Sequence, residues 1–182
     1  MAGGQPAAPV QGGSPHRRGL YDCRMAALIR RAESADVETL GALHSACWRE
    51  LYPAVLPAAV LEELSPAMMA GLWAKFVARG GAYEQYVAEV DGQVVGFAGI
   101  GPGREPGYEE AVELYFLYVH PEHRRSGIGK QLLKTVQAHY TWLWAGNRPA
   151  QQFYKKAKFY PDSVARDGSL FGAPLEEERF SG

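Results

Sequence analysis

The residues with the most evident chemistry lie in one short run, His120-Pro121-Glu122-His123-Arg124-Arg125-Ser126-Gly127-Ile128-Gly129-Lys130. An apolar stretch at 114–119 precedes it and an amphipathic stretch at 128–140 follows it. The order is therefore strand, basic glycine-containing loop, helix. The first N–H groups of a helix have no intrahelical partner, and the helix dipole favours negative charge at that end. Gly127 and Gly129 carry no Cβ, so a ligand can approach the backbone closely. Arg124, Arg125 and Lys130 add positive charge. This is the chemistry of anion binding, confined to a patch that suits a small ligand better than a nucleic acid.

Two familiar phosphate loops fail here. A P-loop needs Gly-x-x-x-x-Gly-Lys-Ser/Thr, but Lys130 is followed by Gln131 and the first glycine position holds Arg124. A dinucleotide fingerprint needs a third glycine where this chain has Leu132. Arg-x-x-Gly-x-Gly, from Arg124 to Gly129, fits without repair. Following Glu113-Leu-Tyr-Phe-Leu-Tyr-Val119, it resembles the acetyl-CoA loop of the GCN5-related N-acetyltransferases. Asn147-Arg-Pro-Ala150-Gln-Gln-Phe153-Tyr154 and Phe159 resemble that family's second signature, an asparagine and an alanine followed by Phe-Tyr on the next helix. The resemblance covers about residues 28–180. One departure is Lys158, where the family commonly has glycine before the aromatic residue.

The resemblance implies a fold, a donor and a site. The fold is α/β, a single domain with a mixed, mostly antiparallel central sheet flanked by helices and splayed central strands. The donor is acetyl-CoA, with no metal, and the acceptor is a primary amine of a small molecule, amino acid or peptide, attacking directly in a ternary complex. Leu117, Tyr118 and Val119 would follow the pantetheine arm, with a backbone N–H as a fixed dipole toward the thioester carbonyl. Arg124, Arg125, Ser126, Gly127, Ile128, Gly129 and Lys130 would surround the pyrophosphate, largely through main-chain N–H groups. Asn147 would bond near the pantetheine, or cap a helix, or do both. Tyr154 matches the family's general acid for the departing thiolate; the plain alternative is an aromatic core residue beside Phe153.

The amine poses a proton problem. A lysine-like amine has a pKa of about 10.4, so about one molecule in a few thousand is neutral at pH 7. Glu113 is the one acid inside an otherwise apolar strand, at a position where several family members carry a glutamate base. Burial raises a carboxyl pKa and would make it a better base, and ordered water could relay the proton. The alternative is that Glu113 sits at the strand's wet end and pairs with an arginine. Trp48 and Tyr52 are four apart, on one helical face, and form either an acceptor pocket or core. His44, near Trp48, reads as a structural histidine with its polar atoms satisfied. A different class remains open: a non-catalytic acyl-CoA-binding sensor or assembly module would keep the loop and lose Tyr154 or the acceptor pocket.

The elements that must position these groups are legible in the spacing. Residues 27–31 read as an edge strand. Ser34 reads as the cap of a helix carrying Val37, Leu40, Leu43, Cys47 and Leu51, ended by Pro53. A short helix at 57–64 and another from Pro66 to Gly80 follow, the latter with Met69, Leu72, Trp73, Phe76 and Val77 on its apolar face. Trp73 falls with Trp48 and Tyr52 in the region that the family uses for the acceptor. Asp91-Gly92 between two strand-like runs is a hairpin signal. Residues 111–119 read as a central strand, and Ile128, Leu132, Leu133, Val136 and Tyr140 as the buried stripe of the next helix. A strand at 142–144, a helix at 149–158 and terminal strands including 175–180 complete the chain.

The chain has 182 residues, enough for one domain that buries roughly two-thirds of its unfolded surface. A net charge of −1 excludes a general polyanion-binding role, so nucleic acid is not an expected partner. Cys23 and Cys47 make neither a disulfide framework nor a metal spacing. No run of eighteen apolar residues is present, and the N-terminus lacks a signal-like apolar core. The expectations are a cytoplasmic protein without a membrane partner, as monomer or homodimer. Residues 1–24 are a Gly/Pro/Ala/Gln mixture that buries little and is expected to be a disordered tail, with the acetyltransferase domain at 25–182 and Met25 as a candidate translation start.

Overall fold

The structure is a computed structural model and describes residues 27–182. The expected tail at 1–24 and the Met25 start lie outside the described residues. Seven strands form one sheet: β1 (Leu28–Arg31), β2 (Glu84–Val90), β3 (Gln93–Pro102), β4 (Val112–Val119), β5 (Tyr140–Trp144), β6 (Tyr160–Leu170) and β7 (Ala173–Ser181). The spatial order is β1-β2-β3-β4-β5-β7-β6. All neighbours are antiparallel except β4 and β5. The mixed, mostly antiparallel sheet that the resemblance implied is the one observed.

Helices cover both faces. On one face lie α1 (Val37–Leu51) and α3 (Pro66–Arg79), with α2 (Ala58–Glu63) between them in sequence. Leu40, Leu43, Cys47 and Trp73 pack there against Val87 and Phe97 of the sheet. Gly41 permits the close crossing, since a Cβ there would come within 2.6 Å of Ala70 N and Pro66 O. Leu40, Trp73 and Phe97 are fully buried, and each such side chain contributes about 2–3 kcal/mol by leaving water. On the opposite face, α4 (Ile128–Val136) and α5 (Arg148–Lys156) pack Ile128, Leu132, Leu133, Val136 and Tyr154 against Ala98, Ile100, Leu114 and Leu143.

Three local expectations are corrected. The start of α1 is not capped by Ser34. Residues Ser34–Asp36 form a 3₁₀ turn, and the Asp36 carboxylate accepts from Glu33 N at 2.8 Å and from Arg30 at 2.7 and 2.9 Å. Tyr140 does not continue α4, because Gln137 turns left-handed (φ 49°) and ends the helix, leaving Tyr140 to open β5. Trp73 belongs to the core rather than to the acceptor region.

The sheet is weakest at its centre. β4 and β5 pair only through Glu113↔Tyr140 and Leu114↔Thr141. The register between β3 and β4 shifts, with Gly99 opposite Phe116 and Ile100 opposite Leu114, so Tyr115 is the extra residue of a bulge. A bulge increases twist and re-aims the strand. Beyond it, residues 116–119 pair with β3 on one side only, and β5 diverges.

Candidate active site

The gap beside β4 leads to the N-terminus of α4. Residues Pro121–His123 form a 3₁₀ turn, after which Arg125 (φ 63°) and Gly127 (φ 94°) both adopt left-handed backbone. Such alternation turns successive N–H groups toward one concavity. The first helical bond of α4 runs from Gln131 N to Gly127 O at 3.0 Å, so the N–H groups of Ile128, Gly129 and Lys130 precede the ladder. Gly127 is free in front, with nothing within 4 Å of an added Cβ. Gly129 faces inward, where a Cβ would lie 3.2 Å from the Phe153 ring and separate α4 from α5. Arg125 and Lys130 are exposed beside this loop.

Arg124 departs from the sequence expectation. Its guanidinium does not face the loop's open side but is held by Glu50 of α1 at 2.7 and 2.6 Å and by Val119 O at 2.9 Å. It ties the loop to the end of α1. Ser126 also turns inward, donating to His123 O. Asn147 caps α5, its Oδ1 accepting from Ala150 N at 3.1 Å. Tyr154 is 5% exposed and lies in the core between β5 and α5. Burial pushes its phenol well above the ordinary value, partly offset by a hydrogen bond with Thr141, so it keeps its proton at neutral pH.

The other face of the gap is aromatic. Tyr52 and Tyr118 meet through their hydroxyl groups at 3.3 Å. Trp48 lies 5.2 Å from the Tyr52 ring and 5.5 Å from that of Phe171 at the β6–β7 turn, and Trp144 lies 6.2 Å from Tyr52. Burial raises both phenols, Tyr118 the more strongly. His44 sits under this wall with five aromatic rings around it, and neither ring nitrogen has a hydrogen-bond partner among the described residues. Desolvation drops its pKa to about 4, so the imidazole is neutral and, contrary to expectation, unsatisfied.

Glu113 is fully buried. Its carboxylate accepts from Arg104 N at 3.1 Å, from Arg104 Nε at 3.0 and 3.1 Å, from Arg104 Nη2, and from Tyr140 Oη at 3.1 Å. The neighbouring charge pushes the Tyr140 phenol, already raised by burial, to about 12. A carboxylate so fully used offers no open lone pair to a substrate proton. The expected base therefore takes the form of its alternative, an arginine pair, though at a buried position rather than a wet one. Spacing singled out Trp48 and Tyr52, and the resemblance singled out Tyr118 and the loop residues. Neither revealed Arg104, which holds Glu113, or Trp144, Glu177 and Phe171, which the β5–β7 pairing and the β6–β7 turn bring in from afar in sequence.

A sequence profile described as an acetyltransferase (GNAT) domain matches residues 81–161, spanning the hairpin, β4, the loop, α4 and α5. An uncharacterized N-acetyltransferase of Bacillus subtilis (strain 168), YuaI, is 28% identical over 162 residues, covering 82% of this chain and 88% of that protein. The crystal structure of a ribosomal-protein-alanine N-acetyltransferase from Brucella melitensis superposes with a TM-score of 0.65 at 28% identity, over 85% of this chain and 98% of the other. The structure of yncA from Salmonella typhimurium, a putative acetyltransferase with its cofactor acetyl-CoA, has the same fold at a TM-score of 0.63 and 23% identity, over 85% and 92% of the two chains. With the bulged β4, the loop and α4 in place, these matches support the GCN5-related N-acetyltransferase superfamily for this chain. It is an acyltransferase. Among the described residues, no helix is long and apolar enough to cross a membrane.

Proposed function

We propose that the protein transfers the acetyl group of acetyl-CoA to a primary amine by direct attack in a ternary complex. The observation that carries this reading is the break in the sheet: β4 and β5 pair over two residues and then part, and the gap ends at the unpartnered N–H groups of α4. The gap suits an extended pantetheine arm along Leu117, Tyr118 and Val119. Arg125, Gly127, Ile128, Gly129 and Lys130 suit a pyrophosphate, with Ser126 and Arg124 holding the loop rather than the ligand. Asn147 has its amide N–H groups left for the arm after capping α5.

In the step itself the neutral amine nitrogen attacks the thioester carbonyl carbon, its N–C bond forms, and the C–S bond breaks. A backbone N–H of the open β4 edge polarises the carbonyl, already oriented before reaction. Tyr154 donates its phenolic proton to the departing thiolate and is reprotonated from solvent. We assign the amine's surplus proton to water beside the aromatic wall of Trp48, Tyr52 and Tyr118, since Glu113 is bound up by Arg104 and Tyr140.

Release of free thiol from acetyl-CoA over a panel of primary amines tests the reading. Amine-dependent thiol release with matching acetylated product is the expected result. Tight acetyl-CoA binding with no amine raising thiol release above hydrolysis would overturn it in favour of a binding module.

A further inference from the structure

We propose that Glu177 selects acceptors carrying a second positive charge, an ammonium or guanidinium a few methylenes from the reacting amine. The inference rests on the transferase reading and names its substrate class. Glu177 of β7 stands directly opposite Trp144 of β5 in an antiparallel pair, so the two side chains share a face with Cβ atoms about 5 Å apart. Trp144 packs toward Tyr52, and Tyr52 toward Trp48. The carboxylate therefore borders the aromatic wall across the gap from the donor loop. Burial raises the Tyr52 phenol, and the nearby charge of Glu177 adds to that rise.

The charges around Glu177 do not cancel. Arg166 donates from Nε to Glu177 Oε2 at 2.7 Å and from Nη1 to Glu105 Oε1 at 2.7 Å. One guanidinium thus serves two carboxylates and leaves a net negative charge. The other cations of this face are already matched: Arg104 is held by Glu113, and Arg179 donates to Asp162 at 2.7 Å. Among the described residues no donor bonds Glu177 Oε1, and the side chain is 22% exposed. A partly desolvated carboxylate beside aromatic rings attracts an organic cation by charge and by the ring quadrupoles, and it repels an anion. Gly168 makes the placement possible, since a Cβ there would lie 2.8 Å from Glu177 Oε2.

Three primary amines of equal chain length isolate the distal charge: 1,4-diaminobutane, butylamine and 4-aminobutyrate. The wild type should prefer them in that order by kcat/KM. Glu177→Gln should lower kcat/KM for diaminobutane about tenfold, mainly through KM, and leave butylamine within about twofold. Glu177→Lys should reverse the order of the two charged amines. Gly168→Ala, which displaces the carboxylate and keeps its charge, should weaken the preference, while Glu176→Gln, an exposed neighbour, should not. An unordered wild type, or an order that survives Glu177→Gln and Glu177→Lys, overturns the assignment. Should none of the amines be turned over, calorimetric binding of the same three to CoA-saturated protein decides separately. Ordered binding then supports Glu177, with the transferase reading falling only if the wider amine panel is also inert, and absent or unordered binding overturns Glu177.

Discussion

Arg104 lies along the carboxylate of Glu113 and closes the first residues of the 103–111 loop onto the buried end of β4. The carboxylate has no solvent exposure, while the arginine side chain is 56% exposed. The pair is thus a plug, with its charged head inward and its cation at the surface. Glu113→Gln removes the charge and keeps the shape, so it should lower stability by about 2 kcal/mol in urea unfolding. The kcat pH profile should keep its shape. Loss of the acidic limb in that variant would restore Glu113 as the base.

Tyr154→Phe removes one hydroxyl from a packed position. Thr141 keeps its own bond to Leu114 O at 2.9 Å, so the melting temperature should move little. Turnover should fall about a hundredfold with the KM for acetyl-CoA unchanged. A variant with wild-type kcat would remove Tyr154 from the reaction.

His44 links stability to pH. Its folded pKa is about 4, well below the ordinary histidine value of 6.5. The unfolded chain therefore takes up a proton as pH falls through about 6.5 while the folded protein does not, and stability declines from there toward pH 4. Between pH 7 and pH 5 this one group should remove about 2 kcal/mol. Urea titrations of wild type and His44→Phe at the two pH values give the difference. Equal pH sensitivity in both proteins would mean that the imidazole is charged or solvated in the fold.

Lys158 follows α5 in left-handed backbone, with φ 69°. That conformation costs an L-residue about 1 kcal/mol and costs glycine nothing comparable. Lys158→Gly should raise stability by about 0.5–1 kcal/mol and leave kinetics unchanged, as measured by thermal unfolding and thiol release. A loss of stability would show that the lysine side chain compensates elsewhere.

The donor side was legible in the sequence because it is local. The basic loop, its glycines and the helix behind them follow one another in the chain, and Asn147 and Tyr154 sit on the next helix with their spacing intact. Even so, the direction of Arg124 was not readable, since it depends on Glu50, 74 residues away. The acceptor side is assembled by pairings that spacing does not encode. β7 inserts between β5 and β6, and only that insertion sets Glu177 beside Trp144. The bulge at Tyr115 was likewise invisible, since the residues of β4 read as an uninterrupted apolar run.

The two residue pairs joining β4 to β5 have a consequence for how the protein holds together. On one side of that seam β1 to β4 form an antiparallel block, and on the other β5, β7 and β6 form a second. Each block is closed by its own hairpins, and the stretch from 115 to 119 adds no rungs between them. Cooperative unfolding units tend to follow such boundaries. In hydrogen exchange, the two blocks should protect as separate units, with the amides at the seam bounding the lower-energy opening. A molecule spanning the gap would couple them and raise the protection of both.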